Sequence, residues 1–297
     1  MDILPLVTII IPTYNDAKVV CDAVDCSLNQ TYKNIEIIVI DDGSTDGTEG
    51  LLKQYGSSIK YIRQNNQGLS NARNTGIRQA SGRYLQFLDA DDVIDNIKIS
   101  LQVEQMQQIS GLSLSICDYV RTAIEDQTMT YRRMSPVLGE KHPLDDMVMK
   151  WETEVSIPPH CFLFDAAIFK EHGVSFDESL PTHEDWECWI NVFALNPTVV
   201  FIDRPLANYR VRSGSMCANK TKMRKGYLMA INKQIHLNGS NVDLVKKLRI
   251  RKKQIKYLYR DASPLMRMLG RCHPAVKKMY FELVPWRMQN FLSNICF

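Results

Sequence analysis

Several features that would assign a protein to a familiar class are missing from this sequence. No apolar run approaches the roughly 18–20 residues of a membrane span. The chain starts with Met1 and the acidic Asp2, and the short apolar run at residues 7–11 is not followed by a cleavage site. We therefore expect no signal peptide and a cytoplasmic protein. The eight cysteines form no C-x-x-C pair, which argues against a zinc ribbon or a disulfide framework.

Glycine-rich nucleotide-binding loops are also absent. The first predicted strand is followed by Pro-Thr-Tyr-Asn at residues 12–15, where a dinucleotide-binding fold would have G-x-G-x-x-G. No G-x-x-x-x-G-K-[ST] occurs in the chain, and a sugar nucleotidyltransferase would also need glycines after the first strand. NAD-dependent enzymes, P-loop NTPases and nucleotidyltransferases are therefore disfavoured.

Positive charge is scarce in most of the chain and concentrated near its end. Residues 220–297 contain 18 Lys or Arg and 3 Asp or Glu, whereas residues 1–219 contain 18 and 30. The net charge of +3 is therefore the sum of +15 in residues 220–297 and −12 in residues 1–219. We expect an acidic domain over residues 1–219 and a basic helical extension over residues 220–297 that do different jobs.

The acidic part alternates short β-branched runs with amphipathic segments. One predicted helix starts near Val19, with Asn15 or Asp16 as its cap, and others start near Ser70 and Asn96. Strands are predicted at residues 7–11, 35–40, 59–62, 84–88 and 112–117. This alternation predicts an α/β fold with a mostly parallel central sheet, whose ligands bind at the carboxyl ends of the strands.

Two acidic clusters follow predicted strands, D-D-G-S-T-D at residues 41–46 and D-A-D-D at residues 89–92. Either cluster alone is typical of a turn or a helix cap. A calcium-binding hand starting at Asp89 is excluded because Ile94 and Ser100 stand at its glycine and glutamate positions. Asp89 and Asp91, two apart in an extended exit, would project the same way and share a hard divalent cation.

Four motifs in order resemble those of family-two inverting glycosyltransferases with the GT-A fold. They are V-T-I-I-I-P-T-Y-N at 7–15, D-D-G-S-T-D at 41–46, N-Q-G at 66–68 with N-A-R-N-T-G at 71–76, and F-L-D-A-D-D at 87–92. The resemblance covers about residues 5–215. It implies a GT-A fold, a sugar-nucleotide donor and a Mn²⁺ or Mg²⁺ cofactor.

The resemblance also implies roles for individual residues. Asp42 would accept a hydrogen bond from the base, and Asp89 would hold the ribose or the sugar. Asp91 would bind the metal on the diphosphate, with Asp89 as a second possible ligand. Because a carboxylate accepts the imide NH of uracil, which cytosine lacks, a UDP-sugar is the expected donor, with Tyr14 stacking on the base. The other donor-binding candidates are Pro12, Thr13, Asn15, Asn66, Gly68, Arg73 and Arg212.

A later acidic segment, H-E-D-W-E-C-W at residues 183–189, contains candidates for the catalytic base. It lacks the second histidine of a zinc-protease helix, and it fits an amphipathic helix with an acidic first turn equally well. The resemblance implies that Asp185 removes the acceptor's proton. Glu184 and His183 are the next candidates, and His183 otherwise orients the acceptor.

Arg212 ends the predicted strand that contains Y-R-V-R at residues 209–212. Many relatives have a histidine metal ligand at this position, whereas arginine cannot ligate a cation. We therefore expect looser metal binding, with Arg212 paired to the diphosphate. The alternative is a surface arginine without a role in the site.

The basic extension has a helical pattern, with Leu244 and Leu248 recurring among lysines and arginines. Three interpretations remain open. The cations bind an anionic membrane surface, aided by Trp286, Phe291 and Phe297, or they cover the acidic domain of the same chain. Nucleic-acid binding is the weakest, because no recognised motif accompanies the charge, and no nucleic-acid partner is expected.

Together these features predict an inverting hexosyltransferase that moves glucose, or else galactose, from a UDP-sugar to a lipid-linked saccharide. By resemblance to O-antigen and capsule transferases, the acceptor is a sugar-diphospho-undecaprenol, the linkage is β, and the enzyme is peripheral on the inner face of a bacterial membrane. Transfer to polyprenyl phosphate is an alternative in which Asp185 is dispensable. A non-catalytic protein that binds sugar nucleotides or lipids is another.

Overall fold

A computed structural model of the chain describes residues 4–123, 132–134, 138, 142–212 and 219–258. Trp286, Phe291 and Phe297 lie outside these residues. The strands are β1 (Val7–Thr13), β2 (Ile35–Asp41), β3 (Lys60–Arg63), β4 (Tyr84–Phe87), β5 (Val93–Ile94), β6 (Ser113–Ala123), β7 (Arg132–Met134), β8 (Phe162–Asp165) and β9 (Thr198–Val211). The helices are α1 (Val20–Leu28), α2 (Thr48–Leu52), α3 (Leu69–Gln79), α4 (Lys98–Met106), α5 (Pro143–Lys150), α6 (Ala167–Lys170), α7 (Glu184–Ala194), α8 (Lys220–Leu237) and α9 (Val242–Leu258).

The strands form one sheet in the order β3-β2-β1-β4-β8-β6-β9-β5, with β7 paired to β6. The longest pairings, β1 with β2 and β6 with β9, are parallel, and β8 lies antiparallel between β4 and β6. Every residue of β1 is buried, because its apolar side chains are covered on both faces of the sheet. The predicted α/β fold with a mostly parallel sheet is confirmed.

The register of the sheet brings the loops after β1, β2 and β4 to one edge. Thr13 pairs with Asp41 at the ends of β1 and β2, and Ile10 pairs with Phe87 at the end of β4. Beyond β4, the amide of Leu88 donates to the carbonyl of Ile10 at 3.0 Å. Because these strands are parallel, the acidic segments that follow them meet at their carboxyl ends.

The start of α1 differs from the prediction. The N-cap residue is Val19, and neither Asn15 nor Asp16 caps the helix with its side chain. Asn15 has a φ of 56°, so the chain turns through a left-handed residue before it reaches the helix. This turn directs the Asp16 carboxylate to the backbone amide of Tyr14, at 3.3 Å, instead of to the helix start.

The aromatic core holds α7 against the sheet. Trp189 packs on Phe162 and Phe164 of β8, with ring centroids 4.7 and 5.0 Å apart. Trp186 is also buried, and its Nε1 donates to the carbonyl of Met147 at 2.9 Å. The predicted amphipathic helix is therefore present, and its acidic first turn is followed directly by buried side chains that pack against the sheet.

Helices α8 and α9 pack against each other and against α7 and α5 respectively. Leu244 and Leu248 are buried as the helical pattern predicts. Gly226 of α8 lies so close to Thr182 that an added Cβ would be 1.9 Å from the Thr182 Oγ1. Within the described part of the chain, no helix has both the length and the apolarity needed to cross a membrane.

Candidate active site

Arg73 connects two segments that lie far from it in sequence. Its Nη2 donates to the Asp89 Oδ1 at 2.6 Å, and its Nη1 donates to the Glu184 Oε1 at 3.1 Å. The guanidinium is buried and lies over the ring of Phe176, 5.1 Å from its centroid. Burial alone would lower the pKa of Arg73, but Asp89 and Glu184 raise it above its ordinary value. A permanent cation therefore fixes the loop after β4 beside the start of α7.

Asp185 follows Glu184 in the first turn of α7. Its Oδ1 accepts a hydrogen bond of 2.6 Å from the backbone amide of Trp186. Burial, and next the charge of Glu184, raise the pKa of Asp185 to about 6. A carboxylate with this pKa is ionised at neutral pH and accepts a proton more readily than an ordinary aspartate does.

His183 has partners on both ring nitrogens. Nδ1 lies 3.0 Å from the Thr182 Oγ1, and Nε2 lies 3.1 Å from the Glu152 Oε1. The ring is buried and stacks on Tyr227 of α8, with centroids 4.3 Å apart. This environment favours a role in joining α7 to α8 over a role as the base.

The segment after β4 is a turn, and not the extended exit expected from the sequence. The amide of Asp92 donates to the carbonyl of Asp89 at 3.0 Å and closes the turn. The rule that side chains two residues apart project the same way holds for extended strands and therefore does not apply to Asp89 and Asp91. The two carboxylates contact different cations, Asp89 that of Arg73 and Asp91 that of Arg212.

Asp91 lies in an excess of negative charge. Burial, followed by the charges of Asp92 and Asp89, raises its pKa to about 7, and Arg212 opposes the shift. A hard cation with oxygen ligands suits such a position. Among the residues that the structure describes, no cluster of three or more His, Cys, Asp or Glu is suited to hold a metal ion.

Arg212 lies at the same edge, close to Asp16 and Asp91. Its Nη1 donates to the Asp16 Oδ1 at 2.8 Å, and its Nε lies 3.2 Å from the Asp91 Oδ2. Two residues earlier, the backbone amide of Arg210 donates to the Asp92 Oδ1 at 2.7 Å. The end of β9 is thus attached to the turn after β4. Sequence reasoning missed Asp16 because its position suggested a helix cap.

Asp42 organises the loop before α3. Its Oδ1 accepts hydrogen bonds from the Gln64 Nε2 and the Gln67 amide at 2.8 and 2.9 Å, and its Oδ2 accepts one from the Gly68 amide at 2.7 Å. The carboxylate is buried, whereas Asn66 and Gly68 are exposed. Gly68 has a φ of 91°, a conformation that favours glycine.

The loop after β1 combines buried and exposed groups. Pro12 and Thr13 are buried at the end of the strand, whereas Tyr14 is 47% exposed and offers a ring face to a planar ligand. Asn15 accepts a hydrogen bond from the Thr45 amide at 2.8 Å, which joins this loop to the one after β2. The loops after β1 and β2, which contain these candidates, are therefore hydrogen-bonded to each other.

A buried pair, His160 and Asp92, was not predicted from the sequence. His160 Nδ1 lies 2.9 Å from the Asp92 Oδ2. Burial lowers the pKa of His160, but Asp92 outweighs it and raises that pKa above its ordinary value. Nothing in the local sequence around His160 points to Asp92, because the contact joins residues on separate elements.

This sheet edge, with carboxylates after β2 and β4, a buried arginine and an exposed aromatic ring, defines a transferase of the GT-A type. The model of the family "Glycosyl transferase family 2" matches residues 8–173, more than half of the chain, and the chain belongs to that family.

The relatives agree with this assignment. An uncharacterized glycosyltransferase of Rickettsia prowazekii (strain Madrid E), RP339, is 33% identical over 218 residues, which cover 70% of this chain and 65% of that protein. The chain therefore spans somewhat less than two thirds of this relative's length.

Solved structures share the fold at low sequence identity. S. aureus TarS, residues 1–349, in complex with UDP-GlcNAc has a TM-score of 0.63 at 17% identity, and the match covers 83% of this chain and 72% of that one. The mannosyltransferase PcManGT from Pyrobaculum calidifontis, in complex with GDP-Man and Mn²⁺, has a TM-score of 0.62 at 16% identity. The match covers 97% of this chain and 84% of that one.

Proposed function

We propose that this glycosyltransferase is an inverting, UDP-sugar-dependent hexosyltransferase whose acceptor is a lipid-linked saccharide. The observation that carries the proposal is the Arg73 side chain, which bonds Asp89 after β4 and Glu184 at the start of α7. A donor-binding segment and the candidate base, Asp185, are thereby held in fixed relation.

Asp185 acts as the general base in this proposal. It takes the proton of the acceptor hydroxyl as that oxygen attacks the anomeric carbon and the bond from that carbon to the UDP oxygen breaks. Direct displacement inverts the anomeric centre, so an α-linked donor yields a β-linkage and free UDP. Arg73 holds the neighbouring Glu184 in place through the 3.1 Å contact between Nη1 and Oε1 while Asp185 accepts the proton.

Asp42 and Tyr14 support the choice of UDP. A carboxylate has about four acceptor positions, and described residues occupy three at Asp42. One position remains for the imide NH of uracil, and the exposed Tyr14 ring is suited to stack on the base. Glucose is the favoured sugar and galactose the second. The two differ only in the orientation of one hydroxyl, so the comparison of UDP-sugars in the assay below decides between them.

A divalent ion, Mn²⁺ or Mg²⁺, fits the charge at Asp91. Asp91, with Asp89 as a second ligand, would hold it together with diphosphate and water oxygens. When bound, such an ion stabilises the negative charge that develops on the departing diphosphate. Arg212, 3.2 Å from Asp91, would contribute positive charge to the same phosphates and weaken the ion's hold.

The proposed acceptor is a sugar on polyprenyl diphosphate, as in the assembly of O-antigen or a related surface polysaccharide. The basic extension next to α7 supports an acceptor at an anionic membrane surface. The enzyme would then be peripheral on the cytoplasmic face of the cell membrane.

The test is UDP release by the purified full chain with UDP-glucose, UDP-galactose, UDP-GlcNAc and GDP-mannose, each with and without a short-chain lipid diphosphate-sugar acceptor. We expect acceptor-dependent release with a UDP-hexose and a β-linkage in the product by NMR. Asp185→Asn should lower transfer by about 10²–10⁴-fold and spare UDP binding. Asp25→Asn, on α1, is the matched control, because Asp25 bonds Tyr55 and none of the site residues.

The same experiment separates the alternatives. Full activity of Asp185→Asn on polyprenyl phosphate would favour that acceptor, because it is already an anion. UDP binding without transfer to any acceptor would favour a non-catalytic binding protein. Preferential use of GDP-mannose would contradict the role proposed for Asp42.

A further inference from the structure

Two sets of cations on α8 and α9 have different surroundings. One set faces the rest of the domain. Lys233 lies 2.5 Å from the Asp177 carboxylate, and Lys247 lies 2.7 Å from that of Asp145 on α5. Arg251 is buried and donates to the carbonyl of Trp151. These residues fasten the helices to the acidic domain, so intramolecular attraction accounts for part of the positive charge.

The second set lies on α9 beside an open groove between α9 and α8. Arg249, Lys252, Lys253 and Lys256 occupy positions i, i+3, i+4 and i+7 and share one face of the helix. They line a cavity of about 400 Å³ between α8 and α9, together with Asn232 and Ile235 of α8. None of the four cations has an ion pair with a residue in the described part of the chain. We call these four residues the basic face.

Exposed aliphatic side chains accompany the basic face. Val242 and Ile250 of α9 are 78% and 41% exposed, and Met229 of α8 is 37% exposed. By helical spacing, Val242, at the start of α9, projects in nearly the same direction as Arg249 and Lys253. Unpaired cations beside exposed aliphatic groups are the combination found on helices that lie in the interface of an anionic bilayer.

Charge decides between the possible occupants of this face. A second copy that docked by the same face would bring four cations against four. The chain's own residues 259–297 contain 6 Lys or Arg and only 2 Asp or Glu, so they are also basic. An anionic surface with an apolar interior complements both the cations and the aliphatic groups.

We propose that the basic face binds the anionic phospholipid surface of a membrane. The inference deepens the proposed function and rests on it for the lipid-linked acceptor. Tyr227 of α8 stacks on His183, the residue before the acidic pair of α7. A membrane bound by these helices is thus connected through packed side chains to the helix that bears the base.

The test is sedimentation of the full chain with vesicles of phosphatidylcholine alone or with 30% phosphatidylglycerol. We expect binding only to the anionic vesicles, weakened by 0.5 M NaCl. Each cation near an anionic bilayer changes partitioning about fivefold. The variant that replaces all four residues with glutamine should therefore bind roughly 600-fold more weakly. It should still release UDP with a water-soluble acceptor, because none of the four contacts the candidate active site.

A matched control removes the same charge from exposed positions elsewhere, as K33Q/K53Q/K60Q/R78Q. This control should bind anionic vesicles as the parent does, and both variants should keep the parental circular dichroism spectrum. Three results would each overturn the inference. They are binding of the basic-face variant to anionic vesicles as tightly as the parent, binding of the parent to phosphatidylcholine vesicles as tightly as to anionic ones, and binding to duplex DNA or RNA in place of vesicles. Charge-dependent vesicle binding without sugar transfer would leave it standing and reject the proposed function.

Discussion

Removal of the Arg73 cation tests the central contact of the candidate active site. In Arg73→Met the side chain keeps most of its volume, while Asp89 and Glu184 lose their shared partner. Breaking a buried ion pair from one side costs about 3–5 kcal/mol. Because the Asp89 and Glu184 side chains remain 24% and 13% exposed, water reaches both, and we expect the lower end of that range.

The stability effect is measurable by urea unfolding and by thermal denaturation, where about 3 kcal/mol corresponds to a loss of roughly 6–12 °C. Transfer activity should fall at least tenfold, because the loop after β4 and the start of α7 lose their common anchor. Arg73→Lys, which keeps the charge but cannot form both hydrogen bonds in the same geometry, should be intermediate.

A double variant identifies the origin of the effect. If unpaired carboxylates cause the destabilisation, Glu184→Gln in the Arg73→Met background should restore part of the lost stability, whereas Glu184→Gln alone should destabilise. An Arg73→Met protein within 0.5 kcal/mol of the parent and within twofold of its activity would refute the reasoning.

Three further predictions concern pH, metal binding and packing. The Asp185 pKa of about 6 predicts that kcat/KM for the acceptor, measured at saturating donor, falls towards tenfold per unit below pH 6, because protonation removes the base; a flat profile from pH 5 to 8 would exclude Asp185. Arg212→His removes a fixed cation and adds a possible ligand, so Mn²⁺ binding by calorimetry should tighten, and an unchanged affinity would contradict this role. Gly226→Ala, whose Cβ would lie 1.9 Å from the Thr182 Oγ1, should lose about 1–3 kcal/mol in urea unfolding. Gly50→Ala on α2, whose Cβ would meet no atom from outside its own turn of helix within 4 Å, should lose none.

Predictions that depended on local pattern agree with the structure. The run of β-branched residues in β1 identified a strand buried on both faces, and the spacing of Trp186 and Trp189 identified the buried side of α7. Such patterns are reliable because burial imposes a period of two on strands and of 3.6 on helices, or continuous apolarity where both faces are covered.

Predictions that depended on contacts between distant residues were less successful. Asp16 suggested a helix cap because of its position, yet its carboxylate accepts a hydrogen bond from Arg212 across 196 residues. The segment from Asp89 to Asp92 was expected to be extended, but a backbone hydrogen bond closes it into a turn. A local preference is weak compared with the sum of tertiary contacts, which determines the conformation at such positions.

The sequence by itself determined the family, which strands the acidic motifs follow, and the edge of the sheet where those motifs meet. Parallel strands place their carboxyl ends together, so the motif positions sufficed. Only the tertiary structure decided that Arg73 joins Asp89 to Glu184, and which cations of α8 and α9 are paired within the chain. Those facts depend on distances between side chains on separate elements, and linear spacing does not specify such distances.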